Sequence, residues 1–468
     1  MRKIAFLFAF LAGCAAGPDY VRPQIEAPAQ YKELQGWRQA EPRDALPRGS
    51  WWTMFGDREL DALMARVDLS NQTLRAAEAR FRQSRALADQ ARAALFPALS
   101  ANASATRSKS PSLSNQPSFA VGAVNNYNVA LNTSWELDVW GRVRRSVEAG
   151  EAGWQASAAD LEAARLSAYA ALAQNYFALR VADATRQVLE DTVAAYARTL
   201  ELTRNRYAAG VVARVDVVQA EVQWKSARAQ LVDVGVERAQ LEHAIALLVG
   251  EAPAAFSIER APFAASMPAI PVGLPSELLE RRPDIAAAER NAAAANARIG
   301  VAQAAFFPTI TLSGAAGFRS TDSANLFTTP SRFWSLGGAL AHAVFDGGLR
   351  EAQKQQAIAV YDEDAATYRQ TVLTAFQEVE DNLAALRILE EEAHLQDEVV
   401  QAARHALELT TNQYQAGIVS YLNVISAQTT LLSNERTASS LLGRRLTASV
   451  ALVKASGGGW SAESLPRR

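Results

Sequence analysis

The sequence predicts a mixed α/β membrane protein made of two tandem structural repeats. Each chain supplies four strands to a trimeric, twelve-stranded transmembrane β-barrel that continues into a long α-helical barrel. Three observations predict this. Arg204-Asn205-Arg206-Tyr207-Ala208-Ala209-Gly210-Val211-Val212 recurs as Thr411-Asn412-Gln413-Tyr414-Gln415-Ala416-Gly417-Ile418-Val419, and Leu95-Phe96-Pro97 recurs as Phe306-Phe307-Pro308. An offset of 207 to 211 residues is too long for a stacked solenoid and fits a duplicated supersecondary unit. After each Phe-Pro word the apolar period switches from that of a helix to that of a strand. Two proline-free windows of 135 residues, 118–252 and 331–465, then have room for very long helices.

In chain order, Arg2 and Lys3 precede an apolar run from Ile4 to Leu11, which with the small residues after it reads as a signal peptide over 1–13. Cys14 is the only cysteine in the chain and closes Leu11-Ala12-Gly13-Cys14, so it is the expected lipidation site and mature N-terminus. Ala15 follows where an Asp would favour inner-membrane retention, and outer-membrane sorting is expected. A single thiol leaves no disulfide to support the fold. Residues 14–56 form a proline-rich, lipid-anchored arm. Repeat 1 covers 57–250 and opens with a helix from Asp57 to Leu95, rich in Ala, Leu, Glu, Gln and Arg.

Two alternating segments follow. Leu99, Ala101, Ala103 and Ala105 interleave with Ser100, Asn102, Ser104 and Thr106, and the run from Tyr127 to Val139 alternates more strongly. Then Arg142 to Ala208 reads as one helix, Gly210 supplies a left-handed C-terminal cap, and a second helix returns to about Val249. Residues 251–282 hold five prolines and are an equatorial linker that wraps rather than spans. Repeat 2, 283–456, restates the plan. Thr309 to Arg319 and Phe333 to Phe345 are strands, Gly348 to Gln415 is a helix, Gly417 is the cap, and a helix returns to Lys454. Phe376, Val379, Leu383, Leu386 and Leu389 step by three and four along it. A helix of 67 residues would be about 100 Å long. The tail, 457–468, begins with the helix stop Gly457-Gly458-Gly459.

Four strands cannot close a barrel, and lipid does not tolerate open strand edges, so the chain must assemble. Two copies would give eight strands and a filled interior. Three give twelve and a lumen, which suits the polar Ser, Asn and Thr face. The charge balance, 47 basic against 49 acidic residues, gives no footprint for nucleic acid. No apolar run reaches the ~18 residues of a transmembrane helix. The four histidines make no i, i+4 pair, and no P-loop, dinucleotide fingerprint or nucleophile elbow occurs, so no catalytic residue, metal site or cofactor is expected.

The chain is similar to outer-membrane factors of the TolC/OprM type, in particular the NodT-like lipoprotein branch. The words that carry this are Cys14-Ala15-Ala16-Gly17-Pro18-Asp19-Tyr20, Trp52-Thr53-Met54-Phe55-Gly56-Asp57, Leu279-Glu280-Arg281-Arg282-Pro283-Asp284-Ile285, Phe345-Asp346-Gly347-Gly348 and the two Tyr-x-Ala-Gly turns. The resemblance implies a homotrimer anchored in outer-membrane lipid and reaching into the periplasm of a Gram-negative bacterium. It implies docking to a periplasmic adaptor protein and an inner-membrane pump of the resistance-nodulation-division class, and export of drugs or toxic compounds with no catalytic step. It also implies that the tips at Gly210 and Gly417 form the periplasmic aperture, shaped by Tyr207, Asp216, Tyr414, Asn423 and Ser426. Relatives often carry acids a short way beyond the second glycine. Here those places hold Tyr421, Asn423 and Ser426, so an acidic ring is not expected. Asp216 matches an acid that latches helices, with Arg206 or Arg214 as its expected partner. Alternatives are a type I protein-secretion duct or a periplasmic coiled-coil scaffold. A scaffold would not need four alternating strands.

Overall fold

The computed structural model describes residues 15–33, 50–109, 122–261, 268, 270 and 275–466. Cys14, the signal peptide and parts of the arm and linker lie outside them. A 3-10 turn, Trp51–Phe55, leads into α1 (Arg58–Ser70), α2 (Gln72–Ala93), β1 (Ala98–Ser108), β2 (Val124–Leu137), α3 (Arg142–Ala208) and α4 (Arg214–Leu248). After the linker come a one-turn helix α5 (Leu278–Arg281), then α6 (Pro283–Ala304), β3 (Thr309–Ser320), β4 (Arg332–Ala341), α7 (Leu349–Gln415) and α8 (Tyr421–Ala455). The duplication is metric as well as verbal. α2 and α6 have 22 residues each, α3 and α7 have 67, and α4 and α8 have 35.

The elements divide into two compact units. The first holds a single antiparallel sheet in the order β1-β2-β3-β4. Its register sorts side chains cleanly, because residues directly opposite one another share a face. Ala101 faces Leu131, which faces Ala316, which faces Trp334. Along the same face run Leu99, Val129, Trp135, Leu137, Ile310, Leu312, Phe318, Leu336 and Leu340. The opposite face carries Ser100, Asn102, Ser104, Asn128, Asn132, Ser134, Thr311 and Ser313. Trp334 is 76% exposed and Leu336 80%, so over most of its area the apolar face has no partner among the described residues, Phe327 covering only Phe318. The outer strands β1 and β4 are exposed almost throughout.

The same unit seats the start of the arm. The Ala16 amide donates to the Trp140 carbonyl at 2.8 Å. Buried Arg145 donates to the Ala16 carbonyl and pairs with Asp19 at 2.8 Å. Asn296 Nδ2 donates to the Pro18 carbonyl, and the Tyr20 hydroxyl donates to Glu289 at 2.7 Å. α6 permits this approach because Ala292–Ala295 and Ala297 are small and buried. At Gly17 a Cβ would come within 2.4 Å of the Gly300 Cα, so only glycine fits.

The second unit holds the remaining lengths of the long helices around an apolar core. Val379, Leu383, Leu386 and Leu389 are buried as their spacing predicts, with Phe376 half-buried beside them. Trp51, Leu60, Met64 and Val67 fill another part of this core. Each such side chain contributes about 1.5–3 kcal/mol by leaving water, and helices of this length depend on such packing more than on intrinsic propensity. The linker is held by arginines. Arg180 donates to the Glu259 carbonyl at 2.8 Å, Arg238 donates to the Ile258 carbonyl at 2.7 Å, and Arg180 also pairs with Glu59 and Asp183.

Three expectations are corrected. The helix expected from Asp57 to Leu95 breaks at Asn71, whose backbone is extended. Its Oδ1 accepts from the Leu74 amide at 3.0 Å, capping α2, while its Nδ2 donates to the Leu248 carbonyl at 2.7 Å. β2 spans Val124–Leu137 rather than Tyr127 to Val139. Beyond its end the Asp138 carboxylate accepts from the Val143 and Arg144 amides, capping α3. β4 ends at Ala341, four residues short of the expected Phe345, where its pairing with β3 stops. No helix of the described residues is long and apolar enough to cross a membrane.

Candidate functional site

Both helical hairpins of the second unit turn by the same device. At the first tip the Gly210 amide donates to the Tyr207 carbonyl and the Val211 amide to the Arg206 carbonyl, each at 2.9 Å. At the second, Gly417 donates to Tyr414 at 3.0 Å and Ile418 to Gln413 at 2.9 Å. Gly210 and Gly417 are left-handed, with φ of 74° and 80°, and space around both is open, so it is the backbone angle that selects glycine.

The side chains on these matching backbones behave differently. Tyr414 is 3% exposed and packs with Leu200, Ala220, Tyr421 and Val424. Its ring lies 5.4 Å from that of Tyr421. Tyr207, the corresponding residue of the first tip, is 46% exposed. Arg206 joins the two tips. Its Nη1 donates to the carbonyls of Tyr414 at 2.6 Å and Gln415 at 3.2 Å, and its guanidinium carbon lies 4.6 Å from the Tyr414 ring centroid. Those carbonyls end α7 and accept from no amide of the helix itself, the Tyr414 carbonyl being shared by Arg206 and the Gly417 amide beyond the helix, and a cation there also meets the negative end of the helix dipole.

Asp216 sits half-buried in the first turn of α4. Among the described residues its carboxylate has no ion pair or side-chain hydrogen bond. The expected partners are therefore corrected: Arg206 is engaged with the end of α7, and Arg214 is exposed and makes no ion pair there. Asp216 is close enough to bear on Tyr421, whose hydroxyl is pushed above the usual phenol range by burial first, then by Tyr414, Tyr196 and Asp216. Asn423 and Ser426 are exposed on the first turns of α8. From Tyr421 to Gln428 that helix carries no charge, so the exposed surface there is amide, hydroxyl and apolar, with Ile418 and Leu422 open to solvent, whereas the first tip exposes Arg204 and Arg214 beside Val211 and Val215.

The sequence placed Tyr207, Gly210, Asp216, Tyr414, Gly417, Asn423 and Ser426 together, and all seven lie on the turns or in the flanking helical turns. It did not single out Arg206 as the joint or Tyr421 as the ring behind Tyr414. A signal for both was present, since at an offset of 207 Arg206 stands against Gln413 and Tyr421 against Arg214, two of the places where the repeats differ in chemistry. Among the described residues no group of three or more His, Cys, Asp or Glu side chains could hold a metal ion.

Comparison with known proteins gives a consistent picture. The model of the "Outer membrane efflux protein" family matches twice, over residues 63–251 and 274–458. The pyoverdine export outer membrane protein OpmQ of Pseudomonas aeruginosa is 33% identical over 99% of this chain and 98% of its own length. The toluene efflux pump outer membrane protein TtgC of Pseudomonas putida is 33% identical over 96% of this chain and 93% of its own. The solved structure of the outer-membrane channel OprN superposes with a TM-score of 0.89 at 31% identity, covering 96% of this chain and all of that one.

Proposed function

This chain belongs to the outer membrane efflux protein family, and from that premise we propose that it is the exit duct of a tripartite pump, closed at rest at its hairpin tips. Membership carries the coarse facts. The protein is an efflux channel of the outer membrane, it performs no catalytic step, and its barrel is trimeric with four strands from each chain. The finer reading adds an inner-membrane pump of the resistance-nodulation-division class, reached through a periplasmic adaptor protein. The cargo is then small molecules of the kinds named for its relatives, a siderophore or an aromatic solvent.

One observation supports this reading above others: a sheet with one predominantly apolar face, broken by Thr133 and by Arg107, Asn125, Ser320 and Arg332 toward one end, and, in strict register behind it, a face dominated by serine, threonine and asparagine. Hydroxyls and amides keep a lumen wet without holding an ion or a hydrophobic cargo, as a conduit requires. The test is a deletion strain challenged with toluene and with an iron-chelator export assay, then complemented by the full chain. Loss and recovery of small-molecule export is expected. Unchanged export accompanied by loss of a secreted protein would replace the pump reading with a secretion duct.

At the aperture, Asp216 has no ion-pair or side-chain hydrogen-bond partner among the described residues and is assigned the role of a latch to a neighbouring protomer, with Tyr207, Asn423 and Ser426 exposed on the same two tips. Single-channel recording of Asp216→Ala should show longer openings. An unchanged closed state would remove Asp216 from the latch.

A further inference from the structure

We propose that the two free edges of the sheet join between copies in one defined register, β4 of one protomer against β1 of the next with Leu340 opposite Ala103, and that this pairing draws His342, Ala343 and Val344 into the strand. The proposal rests on the trimeric barrel, which already requires β4 to meet β1 of the next copy, and adds to it the register of that seam and a segment that becomes strand only on assembly.

The two hairpins of one chain are the same hairpin. Leu99 faces Thr133 and Ile310 faces Leu340, while Ala101 faces Leu131 and Leu312 faces Gly338. An offset of 211 on the first strand and 207 on the second converts each pair into its counterpart without slip. Both hairpins also end at the same place, Ala98 opposite Ser134 and Thr309 opposite Ala341. The seam between repeats occurs once within the chain, as β2 against β3, where Leu137 faces Ile310, Trp135 faces Leu312 and Thr133 faces Gly314. In a ring of copies the remaining seam runs from the second hairpin of one chain to the first hairpin of the next, a head-to-tail contact that closes. Carrying the internal seam across by the same offsets sets Val344 opposite Leu99, His342 opposite Ala101, Leu340 opposite Ala103 and Gly338 opposite Ala105. All of these stay on the apolar face, whereas a one-residue slip would turn the strand over.

An independent observation concerns where the strands stop. β2 continues three residues past its last partner in β1, and Trp135, Glu136 and Leu137 are strand only because β3 holds them. Their counterparts are His342, Ala343 and Val344. Among the described residues no second strand lies beside these, the Ala343 carbonyl taking only a side-chain bond from Arg350 at 2.6 Å, and β4 stops at Ala341 with Val344 90% exposed. Leu99, the residue that would face Val344, is 71% exposed. The chain therefore holds an unpaired strand end and an unpaired edge whose lengths and faces match.

The full chain, with its native Cys14, would carry Leu340→Cys and Ala103→Cys together and be oxidised as assembled trimer. Directly opposed Cβ atoms across antiparallel strands lie within disulfide reach. Covalent dimer and ring-closed trimer should form on non-reducing gels at least ten times faster than with Leu340→Cys paired to Ala101→Cys or Ala105→Cys, which keep the face but slip by two. Equal or faster linking of a slipped pair, or linking in none, overturns the register. The unsubstituted channel supplies a second readout that no folding failure can blur: the amides of His342, Ala343 and Val344 should exchange as slowly as those of Trp135, Glu136 and Leu137. Exchange at unfolded-chain rates in intact trimer overturns the strand extension. Failure of the unsubstituted chain to run as a trimer in unheated samples is a separate result, against the trimeric barrel rather than the register.

Discussion

At the scale of single residues, the tip is decided by one guanidinium. Arg206 gives two charge-assisted hydrogen bonds to helix-end carbonyls and covers an aromatic face. Arg206→Ala should loosen the joint by about 1–3 kcal/mol, seen as faster amide exchange and proteolysis around 205–216 and more frequent channel opening. Arg206→Lys should recover less than half of this, because an ammonium lacks the planar fork. Tyr196 gives a second prediction. Burial, and then Glu435, push its hydroxyl up to about 12, against about 10 in an unfolded chain. The native state thus keeps its proton longer than the unfolded one. This contribution is complete below pH ~10 and is lost between pH ~10 and ~12, a change of roughly 2–3 kcal/mol. Its hydroxyl is buried without a partner among the described residues, so Tyr196→Phe should be neutral to stabilising by about 1 kcal/mol near pH 8. The variant should also show a shallower alkaline loss in urea titrations at pH 9 and 12. Some loss should persist, because burial raises Tyr31, Tyr169, Tyr176 and Tyr421 in the same direction.

At the scale of elements, helices and strands follow the sequence wherever their cause is local. The 67-residue helices start and stop within a residue of their expected ends, because glycine caps and a three–four apolar step are written in the chain. The break at Asn71 was not legible. Its cap is local, but its amide is held by Leu248, 177 residues away. Asn71→Ala should cost about 1–3 kcal/mol, from the lost cap and from a half-buried carbonyl left without its donor. Asn71→Asp, which keeps the cap alone, should fall between that variant and the parent in thermal unfolding. The early end of β4 has a similar origin, since alternation marks which residues suit a strand and only a neighbour makes them one.

At the scale of the whole molecule, the channel's electrical character rests on residues repeated by the trimer. Asn423 and Ser426 are exposed and neutral. If they line the aperture, Asn423→Asp with Ser426→Asp adds six carboxylates per channel and should raise the cation-to-anion permeability ratio severalfold in bilayer recordings at low salt, and less at high salt. An unchanged ratio would place these side chains away from the ion path. The candidate site was legible as a set of positions because the duplicated Tyr-x-Ala-Gly turns announce it. Its internal order was not. Two tyrosines in matching words take opposite environments, Tyr414 buried and Tyr207 exposed, because the residues that surround them come from other helices.

The sequence by itself determined the number of strands, the two faces of the sheet, the equal lengths of paired helices and the glycine turns. Each follows from a period or a backbone angle that neighbouring residues dictate. Only the tertiary structure decided which arginine ties the tips, which tyrosine is buried, where the first helix breaks and where β4 stops. Those outcomes depend on groups brought together from distant parts of the chain, where a hydrogen-bond donor or a strand edge has effect only once its partner is in place.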